Sequence, residues 1–388
     1  MTETTVDCSK LKKPALIAAV VGLVLSAVGY VTNHAQFAQS WLIGWNFWFL
    51  IASGSLGWLM IHHMVSGRWG FVIQRPLEAA ARTIPFMLVL FVPVLLSMHE
   101  LYEWTHEEAI AHDHLIQAKL PYLNAPGFMI RFGVYAVIWI FLAYRLSALS
   151  RKLDQGPDEA VVKKMRAIAA PGLVLYALAM SFASFDWMMS LEPHWFSSIY
   201  GALYMVAGGL STLLFMILVL RRVPPLRAVA TAQQSHDLGN LTFAFTVLWA
   251  YMTFGQFLII WSGNLYEETF WYLDRAAGGW LVVSWILFGF GFILPFFLLL
   301  IRNNKRQLNL LATIALGMIA VRYVDVYWQV APTFRDHPAA LSWMDLAAWV
   351  GVGAGIHHNG GDGLQRGRCD WPPFGRGRYG HRGKIRRH

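Results

Sequence analysis

Cysteine is nearly absent from this 388-residue chain, which has only Cys8 and Cys369. Two thiols so far apart exclude a disulfide framework, an iron–sulfur ligand set and a C-x-x-C-H haem attachment. No covalently anchored redox centre is expected. Charge is also scarce, at 14% Asp, Glu, Lys and Arg against the roughly 25% of soluble domains. What replaces it is apolar: 56% of residues are hydrophobic and the mean hydropathy is +0.45. Those values exclude a soluble globular domain and imply an all-α, polytopic membrane protein.

A run of about 20 apolar residues crosses a hydrocarbon core of about 30 Å, and such runs recur along the chain. Nine are well defined, at 14–31, 41–66, 83–104, 127–149, 168–189, 197–220, 241–262, 278–301 and 307–328, and a tenth starts at Leu341. About ten transmembrane helices fill 14–356 as one membrane domain. Lys10, Lys12 and Lys13 ahead of the first run imitate the start of a signal peptide. That run is long and no A-x-A-like site follows it, so it reads as a retained helix behind a cytoplasmic segment, 1–13. Pro85, Pro93 and Pro295 fall inside spans, where neighbouring groups can satisfy the freed carbonyls. The pairs Gly208-Gly209 and Gly278-Gly279 read as points of close helix packing.

Basic residues alternate between connections. Eighteen Lys and Arg occupy one set, including Arg68, Arg75, Arg151 and Arg221, whereas the other holds only Lys119, Arg275 and Arg335. Positive residues stay cytoplasmic, so the N-terminus is expected in the cytoplasm. The net charge of +9 then reflects loops that attract anionic headgroups, so lipid and not nucleic acid is the expected partner.

The tenth span opens as LSWMDLAAWVGVGAGI and turns into HHNGGDGLQRGRCDWPPFGRGRYGHRGKIRRH. Gly/Arg-rich sequence without apolar periodicity predicts disorder over 357–388. A helix truncated within hydrocarbon suggests a reading-frame shift near Gly353.

With this topology spans three, five, seven and nine run outward, and they end alike: SMHELYEWTH, SFDWMMSLEPHW, IWSGNLYEETFW and VRYVDVYWQVAP. Tryptophan and tyrosine belong at either interface. Carboxylates near mid-span cost roughly 2.5–3.5 kcal/mol and less near headgroups, so Asp186 and its neighbours Glu192 and His194 call for a reason. In helical geometry His99, Glu103 and His106 share a stripe, with Glu100 three residues from Glu103. An imidazole beside close carboxylates can pass protons. His99, Glu100, Glu103, Asp186, Arg131, Arg322 and Asp325 are therefore candidates for a quinone or proton path, and an interfacial ion-pair network is the structural alternative. Glu103 to His106 spells E-x-x-H, but a di-iron bundle needs a second copy and two more glutamates, and no metal site is expected. A bis-histidine haem is not expected either, because His62 and His63 lie at the inner end of span two and His99 near the opposite face. His62, His63, His236 and Asp237 are candidates for an inner proton route toward Tyr251 and Gln256, with Asp237 also suited to N-cap the seventh helix.

The strings FDWMMSLEPHWFSSIYG and HDLGNLTFAFTVLWAYMTFGQFLIIWSGNLYEET, with the ten-span plan, resemble the shorter NrfD-like membrane subunits of alternative complex III over about residues 41–349. The resemblance implies a subunit of a bacterial quinol:cytochrome c oxidoreductase, related to the membrane subunit of polysulfide reductase. It implies two four-helix bundles, from helices two to five and six to nine. Implied partners are an iron–sulfur subunit, c-type cytochromes and a second, longer NrfD-like subunit. The implied quinol pocket lies near the outer face and uses His and acidic side chains, which His99, Glu100, Glu103 and Asp186 match by type and depth. Enzymatic competence would belong to the assembly. A proton-coupled secondary transporter and a purely structural scaffold are the rival readings.

Overall fold

A computed structural model describes residues 9–154, 156, 158–337 and 342–365. The long helices are α1 (Ser9–Thr32), α2 (His34–Val65), α3 (Arg68–Leu96), α4 (Ala125–Lys152), α5 (Glu159–Leu191), α6 (Tyr200–Arg222), α7 (Ala232–Gly263), α8 (Trp280–Leu300), α9 (Leu308–Thr333) and α10 (Trp343–Gln365). Among the described residues there is no strand, and α2 to α9 are long and apolar enough to cross a membrane. The chain is an all-α, multi-pass membrane protein.

Helices α2 to α5 pack together, α6 to α9 pack together, and α6 meets α2 and α5 along the seam. α1 and α10 pair outside the bundles, so close that a Cβ on Gly22 would lie 2.5 Å from the Gly351 Cα. Asp345 fastens α10 to α2: its carboxylate accepts from Ser40 at 2.7 Å and from both Arg335 Nη atoms at 2.9 and 3.0 Å.

The third span begins at Arg68 and not near Thr83, because Val72, Ile73, Leu77 and Ala81 form one buried helical face. It then breaks twice, and Pro85 and Pro93 each fall in the first turn of a new piece, where a missing N–H costs nothing. Indoles of α2 satisfy carbonyls beside the breaks: Trp41 Nε1 donates to Leu90 O at 2.8 Å and Trp45 Nε1 to Met87 O at 2.7 Å. The interior of this bundle is filled by Trp45, Phe49, Phe91, Trp139 and Trp187, with ring centroids 4.6 to 5.8 Å apart.

In the second bundle α8 carries a π-helical stretch, Leu287–Ile293. Pro295 cannot donate to the Gly291 carbonyl and its ring crowds that position. The helix widens just ahead of it, so that Leu294 N–H reaches back five residues to Gly289 O.

Gly208 and Gly54 do permit close packing, since a Cβ on Gly54 would lie 2.7 Å from Gly208 O. Gly278 likewise lies hard against the Asp336 carbonyl, and with Gly279 it does something more. Their φ angles of +54° and +91° make the left-handed turn that launches α8, a conformation glycine adopts without strain. α10 runs helical to Gln365, nine residues past the expected boundary at 356, since extending an existing helix costs little. The rest of the basic tail, like residues 1–8, lies outside the described residues.

Candidate functional site: a lateral cleft with a charged floor

One end of the molecule gathers most of the buried ion pairs. Asp186 on α5 is fully buried and receives Arg131 of α4 through Nε at 2.9 Å and Nη2 at 2.9 Å, plus the Tyr135 hydroxyl at 2.8 Å. Arg131 also donates to Tyr122 O at 2.9 Å and lies 4.0 Å from the Tyr122 ring centre. Every strong site on this carboxylate is taken. His194 Nε2 bonds Asp113 at 2.5 Å, and that hydrogen bond, the main influence, holds the Asp113 carboxyl below its ordinary value.

The His99 cluster is not assembled as a helical stripe. The helix stops at Leu101, Tyr102 is extended, and Glu103–Thr105 forms a single 3-10 turn. The i, i+4, i+7 spacing therefore fails physically at Tyr102, whose ring turns inward and donates to Trp187 O at 3.1 Å. His99 and His106 still meet, with ring centres 4.1 Å apart and His106 Nε2 2.6 Å from His99 O. Glu100 instead approaches His34 at 3.8 Å. His99, Glu100 and Glu103 are all exposed, apart from buried Asp186.

The inner candidates are dispersed too. Thr231, not Asp237, N-caps α7 through a capping box with Gln234. Asp237 lies inside the helix, 3.9 Å from Arg68, and His236 faces Asn240. His62 and His63 are buried near the other end of the molecule, with His62 Nδ1 and His63 Nε2 unpartnered. Gln256 lies about 30 Å along α7 from His236 at 1.5 Å per residue, so it belongs to the opposite end. There it accepts from Ser197 at 2.8 Å and donates to the Tyr272 hydroxyl at 3.1 Å. Among the described residues no group of three or more His, Cys, Asp or Glu is placed to hold a metal ion.

The roomy site brings together Tyr251 and Asp325, which the sequence assigned to different paths. Between α7, α8 and α9 a cleft of about 760 Å³ opens on the outer surface of the second bundle. Tyr251, Phe254, Trp285 and Phe288 form its exposed apolar mouth. Phe288 and Phe292 enter it from the π-helical stretch, whose extra residue per turn widens α8. Its lining is mostly apolar, with a small polar share from Thr253, Tyr272, Arg275, Ser284 and Asp325.

Arg275 is 2% exposed, sits 3.5 Å from the Trp271 ring centre, and donates to Glu192 Oε1 and Gln329 O at 3.0 Å each. Thr333 holds the same Glu192 oxygen at 2.6 Å. Burial, outweighing Glu192, pushes the Arg275 guanidinium below its ordinary value, and burial pushes the Tyr272 phenol up to about 12. Asp325 accepts from Arg322 at 2.7 Å, and Arg322 lies 4.6 Å from the centre of the Trp249 ring at the cleft wall. Arg275 Nε, Arg322 Nε and Thr253 Oγ1 are buried without a hydrogen-bond partner. An unmade bond at a buried polar atom costs about 1–3 kcal/mol, and the first bundle carries such atoms too, at the Tyr122 hydroxyl, Trp139 Nε1 and Trp187 Nε1.

Arg322 and Asp325 were legible in the sequence as intramembrane charges, but Arg275 and Thr253 were not. The available signal was the glycine-rich GFGFI before Pro295, which marks the widened helix. No known family's sequence pattern matches the chain, and no curated protein is similar to it.

Proposed function

We propose that this chain is a membrane subunit of a quinol-oxidising respiratory assembly and that its lateral cleft takes the quinol. The observation that carries the reading is the pairing of an exposed aromatic mouth with a few charged and hydroxyl side chains in the same lining. Apolar pockets with a few convergent polar groups are where small ligands bind. A quinone headgroup is a flat ring that suits aromatic walls, with oxygen acceptors that suit Arg275, Thr253 and Tyr272. In the quinol form its hydroxyls need an acceptor, and Asp325 supplies one.

The assembly would supply the electron carriers, an iron–sulfur subunit and c-type cytochromes beside a second NrfD-like subunit, since this chain offers aromatic and ionic side chains alone. The membrane would be the bacterial inner membrane, with the basic end cytoplasmic and the acidic, aromatic end periplasmic. Native purification from a membrane extract tests the assembly: iron–sulfur and cytochrome proteins should migrate with the chain. Migration of the chain alone, together with solute uptake when it is reconstituted in vesicles, would replace this reading with that of a transporter.

A further inference from the structure

Asp325 lies at the boundary of two spaces. On one side is the cleft. On the other is a small inner cavity of about 20 Å³, lined by Asn46, Tyr200, Tyr204, Gln329 and the same Asp325. That volume is enough for one water, and a buried water needs two to four polar partners, which this lining supplies. The Tyr204 hydroxyl bonds Asn46 and the Tyr200 hydroxyl donates to Gln329 at 3.1 Å. The cavity therefore lies on the seam, with Asn46 from α2 of the first bundle and the other four polar residues from α6 and α9 of the second.

We propose that Asp325 relays a proton between a hydroxyl ligand in the cleft and a water in this inner cavity, which holds it as hydronium among the cavity's oxygen acceptors. The proposal rests on the reading of the cleft as a quinol site. The step balances without an electron: the ligand O–H bond breaks and leaves its electron pair on oxygen, while an O–H bond forms on the Asp325 carboxylate. Charge is conserved: the ligand gains the negative charge that Asp325 gives up, and Arg322, bonded to Asp325 at 2.7 Å, stays cationic beside it. A second transfer, from Asp325 to the water, restores the ion pair with Arg322. Asp186 cannot serve in the same way, because three donor atoms of Arg131 and Tyr135 already occupy its oxygens.

The full chain in lipid nanodiscs tests this with a short-tailed ubiquinol and ubiquinone pair. Quenching of tryptophan fluorescence by the quinone reports occupancy of the cleft, whose wall includes Trp249, Trp261 and Trp285. Infrared difference spectra on adding the quinol should gain a protonated-carboxyl band. Asp325→Asn should lose that band, and so should the charge-neutral double variant Arg322→Gln/Asp325→Asn, which avoids leaving a buried cation unpaired. Asn46→Leu, which fills the inner cavity, should keep the band but slow its exchange in deuterated water at least about tenfold, with Tyr204→Phe as the milder check. Quenching with a band that survives loss of Asp325 overturns the relay alone, as does wild-type exchange in both cavity variants. Absence of quenching overturns the quinol reading of the cleft, and the relay with it.

Discussion

The two bundles each hold an arginine–carboxylate pair near the acidic end, and they treat it in opposite ways. In the first, Asp186 is saturated by Arg131 and Tyr135, Arg131 is covered by Tyr122, and tryptophan and phenylalanine rings fill the space around them. In the second, Asp325 has, among the described residues, the single bond from Arg322, Arg322 keeps an unused Nε, and a large cleft adjoins them. Satisfied polar networks rigidify a fold, whereas partly satisfied ones carry a standing cost. The lesson is that the first pair is suited to stability, and the second to meeting something that comes from outside.

Breaking the saturated pair should give the largest effect. Arg131→Ala leaves a fully buried carboxylate without its cation, and loss of about 3–5 kcal/mol is expected, read as a lowered unfolding midpoint in detergent. Arg322→Ala also strips a buried carboxylate and falls in the same range; the contrast between the bundles rests on the cleft beside Asp325 and not on the size of this loss. Next comes Arg275→Lys, which keeps the charge but loses the planar stack on Trp271 and the forked donors. It should cost about 1–3 kcal/mol and weaken quinone-analogue quenching, while Arg131→Lys leaves quenching intact in whatever protein folds. A smaller change sharpens the comparison: Ala250→Trp in the cleft wall should reduce analogue affinity about tenfold, or 1.4 kcal/mol, with the unfolding midpoint nearly unmoved. The smallest effect concerns pH. Asp113 has a depressed folded value, so its contribution is present above the ordinary 3.8 and is lost as pH falls through the lower folded value. Asp113→Asn should therefore lower the midpoint slightly at neutral pH, and the difference should vanish in strong acid.

How far the fold was legible follows from particular residues. The eight central spans appear where hydropathy placed them, because a lipid solvent leaves helices as the way to satisfy a chain's backbone groups. Their ends were less legible. α3 starts 15 residues before the expected 83, since its first turns are amphipathic and look like a charged loop. The His99 stripe failed for a related reason: helical spacing was extended past Leu101, where burial of Tyr102 and Trp104 against the carbonyls of Trp187 and Ser190 draws the chain out of the helix. Asp186 and Arg131 were both visible as costly charges, but their partnership is a contact between residues 55 apart in sequence.

Sequence alone determined the solvent, the helical class and the order of the spans, because those depend on composition and on runs of apolar residues. It also supplied the alternation of basic and acidic ends. Tertiary structure decided which charges are spent on each other and which remain available, since that depends on whether helices close over a pair or stand apart. The widening of α8 ahead of Pro295 is local chemistry, yet it becomes a cleft only because α7 and α9 stand on either side of it.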